Sequence, residues 1–194
     1  MRSDELGHQV MILYRDVDET VERFRAWSGF ACVEGCSACC ETLHVEASVL
    51  EMLPLAVELW RRQEAMPVLN AIEGAPHCVR CILYRPEEDR PGFGRCGAYE
   101  HRPLLCRLFG FSGRLDRREV PELIRCRRAR QQSGGPLHVP DGGAPVPIMR
   151  CFTMRLYGID PTLSRLMPIN EALHAALSRV GARLAIRGEE HRGL

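Results

Sequence analysis

The sequence predicts a mainly α-helical protein: a small helical domain with long irregular loops and little or no sheet. Apolar side chains recur at steps of three and four residues over residues 4–27 and again over 168–187, which is typical of amphipathic helices. Between these stretches lie glycine- and proline-rich segments that hold all ten cysteines of the chain. The fold class follows from helical periodicity at both ends and irregular, cysteine-rich sequence between them.

The first predicted helix, residues 4–27, has Gly29 just beyond its end, where a left-handed residue is favoured. The middle of the chain predicts shorter elements. They are an extended piece at Thr42–Val45, helices at Ala47–Leu53, from Pro54 to about Gln63 and at Pro67–Ile72, a short helix between Pro103 and Gly110, and another beginning at Asp160 and Pro161.

A chain of 194 residues is long enough for one domain with its own core, so we expect a single domain over residues 1–194. Its cysteine motifs span residues 32–126. A loop rich in glycine and proline occupies 131–147, and C-terminal helices occupy 161–187.

The formal net charge of +1 gives no electrostatic reason to expect a nucleic acid or a membrane as partner. No run of 18 apolar residues is present, and the first residues lack the apolar core of a signal peptide. We therefore expect a cytoplasmic protein whose thiols stay reduced, which favours metal binding over disulfides.

Four thiols fall within nine residues in the segment Cys32-Val-Glu-Gly-Cys36-Ser-Ala-Cys39-Cys40. Metal ligands, disulfide partners, redox-active thiols and inert buried thiols are the competing interpretations. Several sulfurs can converge on one centre if Gly35 adopts a positive φ. The adjacent pair Cys39 and Cys40 would serve two neighbouring sites, or a polynuclear centre, more naturally than one ion.

The second cysteine region holds Cys81, Cys96 and Cys106, and Cys126 follows it. Cys106 lies near the start of the short helix after Pro103, where backbone N–H groups favour the thiolate. Arginine is frequent beside these cysteines and can offset the charge of a thiolate centre.

These motifs resemble the YkgJ-type cysteine-cluster family. The resemblance rests on Cys32-x3-Cys36-x2-Cys39-Cys40, on Cys81-x-x-Tyr84, and on Arg95-Cys96-x-x-Tyr99-x-x-Arg102-Pro103-x-x-Cys106-Arg107-x-Phe109. The family is described as zinc- or iron-chelating and often as containing an iron–sulfur cluster. A related domain occurs in a flagellin lysine methylase, so the resemblance leaves enzyme activity open.

The leading hypothesis is a metal-binding protein with a redox role, in which an iron–sulfur cluster (4Fe-4S) or zinc organises the irregular loops. Thiolates bind both in tetrahedral geometry. Arg102 and Arg107 would bind the cofactor by offsetting thiolate charge. The predicted metal ligands are Cys32, Cys36, Cys39, Cys40, Cys81, Cys96, Cys106 and Cys126.

A metal-dependent modifying enzyme, methylase-like or oxidoreductase, is the alternative. Residues 32–39 have the cysteine spacing of radical-SAM enzymes, but Ala38 stands where those enzymes usually have an aromatic residue. A thioredoxin-like dithiol at Cys36/Cys39 or Cys78/Cys81 lacks the surrounding βαβ pattern.

Cys151 lies outside the motifs, and we expect it to be dispensable for metal binding. The sequence leaves open whether Cys78, His44 or His77 is a ligand. It also leaves open the protein partner and the oligomeric state.

Overall fold

The computed structural model describes residues 2–75, 80–124, 126 and 146–190. Within them the fold is mainly α-helical with only short two-stranded sheets, which confirms the predicted fold class. The helices are α1 (Ser3–Ser28), α2 (Val49–Arg61), α3 (Ala65–Glu73), α4 (Leu104–Leu108), α5 (Met149–Ile159) and α6 (Ile169–Glu190). None of the helices in the described residues is long and apolar enough to cross a membrane.

Helix α2 lies at the centre of the core. Residues 50–56 are buried, and the helix packs between α1 and α6. Glycines allow the close approach: a Cβ on Gly7 of α1 would lie 3.5 Å from the backbone of Pro54, and Gly181 of α6 lies against the Trp60 indole. The Trp60 Nε1–H also donates to the Leu177 carbonyl at 2.9 Å. The core therefore forms around a helix that is covered on two sides.

The prediction of two helices meeting at Pro54 was wrong, because Pro54 lies inside the continuous helix α2. A proline here forfeits one backbone hydrogen bond. The Ser48 side chain and the Glu51 carboxylate cap the N-terminus reciprocally, so the helix begins five residues before the proline, at Val49.

Helix α1 confirms the prediction for residues 4–27 within one residue at each end. Gly29 adopts φ +64° and its N–H donates to the Arg25 carbonyl, as expected of a C-terminal glycine. The short helix α4 confirms the prediction for the segment between Pro103 and Gly110, and Gly110 has φ +87°. Helix α3 likewise covers the predicted Pro67–Ile72.

Three antiparallel pairs of short strands connect the helices in the described residues. Each pairs two three-residue strands: β1 (Glu46–Ser48) with β6 (Leu166–Pro168), β2 (Tyr84–Pro86) with β3 (Gly94–Cys96), and β4 (Gly113–Leu115) with β5 (Pro121–Leu123). The extended piece expected at residues 42–45 is found instead at β1. Because β1 leads into α2 and β6 leads into α6, their pairing holds the starts of these two helices together.

The C-terminal region departs from prediction in two places. No helix begins at Asp160, because its carboxylate caps only a turn through the Thr162 and Leu163 N–H groups before β6. Helix α5 was not predicted, and it carries Cys151 on an exposed position. Most of the expected loop at 131–147 lies outside the described residues, which resume at 146.

A buried carboxylate, Glu51, joins α2 to α4. It is 3% exposed and accepts hydrogen bonds from the Ser48 N–H and hydroxyl at 2.8 Å and from the Leu104 N–H at 2.9 Å. Burial raises the pKa of Glu51, while these donors oppose that rise. Glu51 therefore fixes the first turn of α4 to the core.

The β2–β3 hairpin lies against the loop at residues 32–40, hereafter the cysteine loop. Cys36 forms a β-bridge with Phe93, and the Gly94 N–H donates to the Gly35 carbonyl at 3.1 Å. A Cβ on Gly94 would lie 2.5 Å from the carbonyl oxygen of Arg85 and 2.9 Å from the Cα of Pro86. Strand β3 can thus lie this close to β2 only with glycine at position 94.

We expect Glu51→Ala to lower the free energy of unfolding by about 3 kcal/mol, because a buried donor left unpaired costs about 1–3 kcal/mol. Glu51→Gln should lower the free energy of unfolding by less, since the amide oxygen of glutamine still accepts one hydrogen bond. Urea unfolding measures both, with the exposed Glu19→Gln on α1 as control. Wild-type stability in Glu51→Ala would contradict the assigned role.

The raised pKa of Glu51 also predicts a pH dependence. A carboxyl whose folded pKa is raised stabilises the fold most below its ordinary value of 4.5 and loses that contribution as pH rises through the folded value. The stability of wild type relative to Glu51→Gln should therefore fall as pH rises from about 4. If this difference in stability grows with pH instead, the hydrogen bonds lower the pKa of Glu51 by more than burial raises it.

Gly94→Ala should lower the free energy of unfolding by about 1–3 kcal/mol, the usual range for overpacking. The matched control is Gly158→Ala on α5, where an added Cβ meets no described atom within 4 Å and alanine favours the helix. Equal stability of the two variants would show that the hairpin tolerates a side chain at position 94.

Candidate metal centre

The cysteine loop is built from turns held by its own backbone. The Cys36 N–H donates to the Val33 carbonyl at 3.1 Å and the Cys40 N–H to the Ser37 carbonyl at 2.7 Å. Gly35 adopts φ +71°, the positive value expected from the sequence. These turns bring four thiols to one side of the hairpin without regular secondary structure.

Ser37 ties this loop to the hairpin. Its N–H donates to the Gly92 carbonyl at 3.0 Å, and its buried hydroxyl hydrogen-bonds the Tyr84 hydroxyl at 2.9 Å. Nothing in the sequence singles out Ser37. Tyr84, in contrast, stands out in the sequence because it lies three residues after Cys81.

Cys81 and Cys96 lie at the same end of the hairpin. Cys96 pairs with Tyr84, whose N–H donates to the Cys81 carbonyl at 3.0 Å. The segment is fastened to α6 because the Ile82 N–H donates to the Asn170 side chain at 2.9 Å. Two thiols separated by 15 residues are thus held together by β-pairing.

Cys106 lies on α4, whose N-terminus is fixed by Glu51. Its side chain and that of Cys81 pack against the main apolar core. Cys126 instead packs against a smaller cluster formed by Phe24, Phe30 and Val146.

All eight cysteines predicted as ligands line one cavity of about 1180 Å³, and Cys151 is not among its lining residues. The fold therefore brings the cysteine loop together with the 81–106 region, although 41 residues separate them. Cys126, 20 residues farther along, joins the same cavity. Their role as ligands stays a prediction, as does the dispensability of Cys151.

Within the described residues, no three His, Cys, Asp or Glu side chains are grouped so that they could hold a metal ion as placed. Metal–sulfur bonds near 2.3 Å require the sulfurs of one tetrahedral site to lie about 4 Å apart. No three of the described thiols are grouped in this way as placed, so coordination by four of them needs the thiols to draw together.

The surroundings raise the pKa of four of these eight thiols and so favour their protonated form. Burial raises the pKa of Cys81 to about 11 and that of Cys106 to about 12. Burial, followed by nearby Cys126, also raises the pKa of Cys32. A cation would therefore have to displace protons from these sulfurs when it binds.

The adjacent thiols behave as a pair. A hydrogen bond between them lowers the pKa of Cys39 to about 6 and raises that of Cys40. The guanidinium of Arg102 further favours the Cys39 thiolate. Of this pair, Cys39 is thus the thiol that loses its proton more readily.

The two arginines predicted to bind the cofactor differ in their contacts. Arg107 is buried and turned to the protein: it donates to the Asp18 carboxylate and to the Glu100 and Arg102 carbonyls. Its guanidinium also lies 4.2 Å from the centre of the Tyr14 ring. These contacts brace the segment around Cys106.

Arg102 is the arginine available to the thiols. Its guanidinium lies 3.6 Å from the centre of the Tyr99 ring and favours the thiolates of Cys39 and Cys106. Among the described residues, its buried Nε has no hydrogen-bond partner. Arg102 also lines the cavity, so its positive charge lies near the thiols.

Two histidines line the cavity. His44 is an exposed candidate from the sequence, and His101, which was not singled out, is half-buried with a pKa lowered by burial. His77 and Cys78 lie outside the described residues.

Comparison with known families gives one match: the family model CxxCxxCC, "Putative zinc- or iron-chelating domain", over residues 31–130. No curated protein and no solved structure matches the chain. The chain departs from the pattern in the family's name, because three residues rather than two separate Cys32 from Cys36, and Gly35 in its left-handed conformation lies in that longer spacing. The match covers just over half of the chain, confirms the resemblance to the cysteine-cluster family, and shows that the protein belongs to the CxxCxxCC family.

Proposed function

We propose that this protein binds zinc or an iron–sulfur cluster through the eight thiolates of its cavity, with a redox role if the centre is an iron–sulfur cluster. The observation that carries the proposal is the convergence of eight cysteines, from segments far apart in sequence, on a single cavity. Eight sulfur donors in one cavity suit zinc or iron–sulfur chemistry, whereas magnesium and calcium prefer oxygen ligands.

Charge supports the same assignment. Four thiolates around a divalent ion carry a net charge of −2, which a neighbouring cation stabilises. Arg102 has the position to do so, because it lines the cavity and favours the thiolates of Cys39 and Cys106. Arg107 acts indirectly, because its bonds to backbone carbonyls hold the segment that presents Cys106.

The cavity size favours one second candidate, a metal-dependent modifying enzyme. A volume of about 1180 Å³ is slightly above the range of about 300–1,000 Å³ that is usual for small-molecule sites, and it exceeds the needs of one four-coordinate ion. The cysteine thiolates would hold the metal in this case too, and the remaining space would accept a substrate.

Purification of the full chain without oxygen, followed by metal and sulfide analysis and absorption spectroscopy, tests the proposal. A brown protein with iron and sulfide identifies a cluster, and a colourless protein with stoichiometric zinc identifies zinc. A protein that neither retains nor takes up zinc, iron or cluster would refute metal binding.

Substitution of single cysteines by serine tests the ligands. Cys39→Ser and Cys106→Ser should lose metal and unfold several degrees lower, because metal-binding energy is partly folding energy and 1 kcal/mol shifts Tm by about 2–4 °C in a chain of this size. The control, Cys151→Ser, changes an exposed thiol outside the cavity and should keep both metal content and Tm.

Metal analysis and thermal unfolding of the three variants give the result. Full metal occupancy in Cys39→Ser and Cys106→Ser would contradict the assignment, and so would loss of metal in Cys151→Ser.

A further inference from the structure

The cysteine loop is attached to the β2–β3 hairpin by a short stretch of backbone pairing. Residues 35–37 run antiparallel to residues 92–94, and Cys36 lies opposite Phe93. One backbone hydrogen bond lies on each side of this bridge, at 3.1 Å and 3.0 Å. Pairing that is short and rich in glycine specifies its register weakly. A side-chain contact is therefore needed to fix where the thiols of the loop come to lie.

Two buried hydroxyl groups supply that contact. Ser37 is 2% exposed and Tyr84 is 8% exposed, and their hydroxyl oxygens lie 2.9 Å apart. The Tyr84 hydroxyl also lies 3.5 Å from the Phe93 carbonyl oxygen. A buried hydroxyl is costly unless it has a hydrogen-bond partner, so each of these residues, hereafter the hydroxyl pair, holds the other in place.

Tyr84 is linked to two thiols of the hairpin. Its N–H donates to the Cys81 carbonyl at 3.0 Å, and Cys96 lies directly opposite Tyr84 in the pairing of β2 with β3. Side chains directly opposite in an antiparallel pair lie on the same face, with their Cβ atoms about 4.5–5.5 Å apart. The position of the Tyr84 ring is thus fixed relative to both Cys81 and Cys96.

Ser37 has the equivalent place in the cysteine loop. It directly follows Cys36, and its carbonyl accepts a hydrogen bond from the Cys40 N–H at 2.7 Å. A shift of Ser37 would therefore move the thiols on both sides of it. Ser37 and Tyr84 both line the cavity, although neither is a sulfur ligand.

We propose, resting on the proposed metal-binding function, that the hydroxyl pair positions the metal centre. It fixes the cysteine loop against Cys81 and Cys96 before metal binds, so that thiols from both segments can reach the metal. Binding then has to order less of the chain, and preorganisation of this kind raises affinity by lowering the cost of ordering. Ser37 and Tyr84 are positioning residues, because they act through the cysteines.

Anaerobic Co²⁺ binding to the metal-free full chain tests this role, because cobalt bound by thiolates has an intense sulfur-to-metal absorption. Ser37→Ala and Tyr84→Phe should each weaken cobalt binding about 3- to 10-fold, the factor that corresponds to one hydrogen bond. Both should also release cobalt faster to a chelator. The absorption at saturation should equal that of wild type, since every thiol is still present.

The double variant tests whether the two hydroxyls act together. Ser37→Ala combined with Tyr84→Phe should weaken binding by about the same factor as either single change, because the second hydroxyl has already lost its partner. Wild-type affinity and release rate in both single variants would overturn the proposal. Losses that multiply in the double variant would also overturn it.

Two matched controls separate positioning from a general loss of stability. Ser164→Ala removes a partly buried hydroxyl that donates to the Asp160 carbonyl at 2.7 Å, and Tyr157→Phe changes an exposed tyrosine; neither residue lines the cavity. Both controls should keep the wild-type affinity and release rate for cobalt, even where thermal unfolding shows a lower Tm. Release from Ser164→Ala as fast as from the hydroxyl-pair variants would overturn the positioning role.

A further variant covers the case in which circular dichroism shows that neither hydroxyl-pair variant folds. The Glu41 carboxylate accepts a hydrogen bond from the Gly92 N–H at 3.1 Å and so joins the loop to the same hairpin residue from outside the cavity lining. Glu41→Ala should then release cobalt faster, and a wild-type rate would overturn the proposal. Failure of the positioning role leaves cobalt binding by wild type intact, whereas failure of the proposed function abolishes cobalt–thiolate absorption in wild type itself.

Discussion

Two buried charges fix the segment that carries Cys106, and the candidate centre depends on them. From the core side, the Glu51 carboxylate holds the first turn of α4 through the Leu104 N–H. From the other side, Arg107 joins Asp18 of α1 to backbone carbonyls before α4. Breaking the Arg107–Asp18 pair would leave a buried guanidinium without its carboxylate, and losing the Glu51 bond would leave the buried Leu104 N–H unpaired, so both contacts hold this wall of the cavity in place.

The opposite wall is adaptable. The cysteine loop consists of turns, and it is attached to the hairpin mainly through Ser37 and the Gly94 N–H. Thiols with raised pKa values stay neutral while they are apart, and a cation would draw them together as thiolates. Metal binding in this fold is therefore expected to order the loop against the fixed wall, which couples occupancy of the site to stability.

Local rules predicted the parts of the structure that local chemistry determines. Periodicity located α1 and most of α6, and the need for positive φ at Gly29 and Gly35 was correct because only short-range backbone geometry is involved. The prediction of a helix start at Pro54 was wrong because the Ser48-x-x-Glu51 capping pattern already marks the start of α2. The bracing role of Arg107 could not be predicted, since its partner Asp18 lies 89 residues away in sequence.

If thiolates from both walls bind metal inside one cavity, diffraction from metal-loaded crystals, recorded at the absorption edge of the bound metal, will locate the metal between them. We expect anomalous peaks within about 2.3 Å of sulfurs that include Cys106 and a residue of the cysteine loop. Metal bound only at the protein surface, or by cysteines of one wall alone, would contradict this expectation.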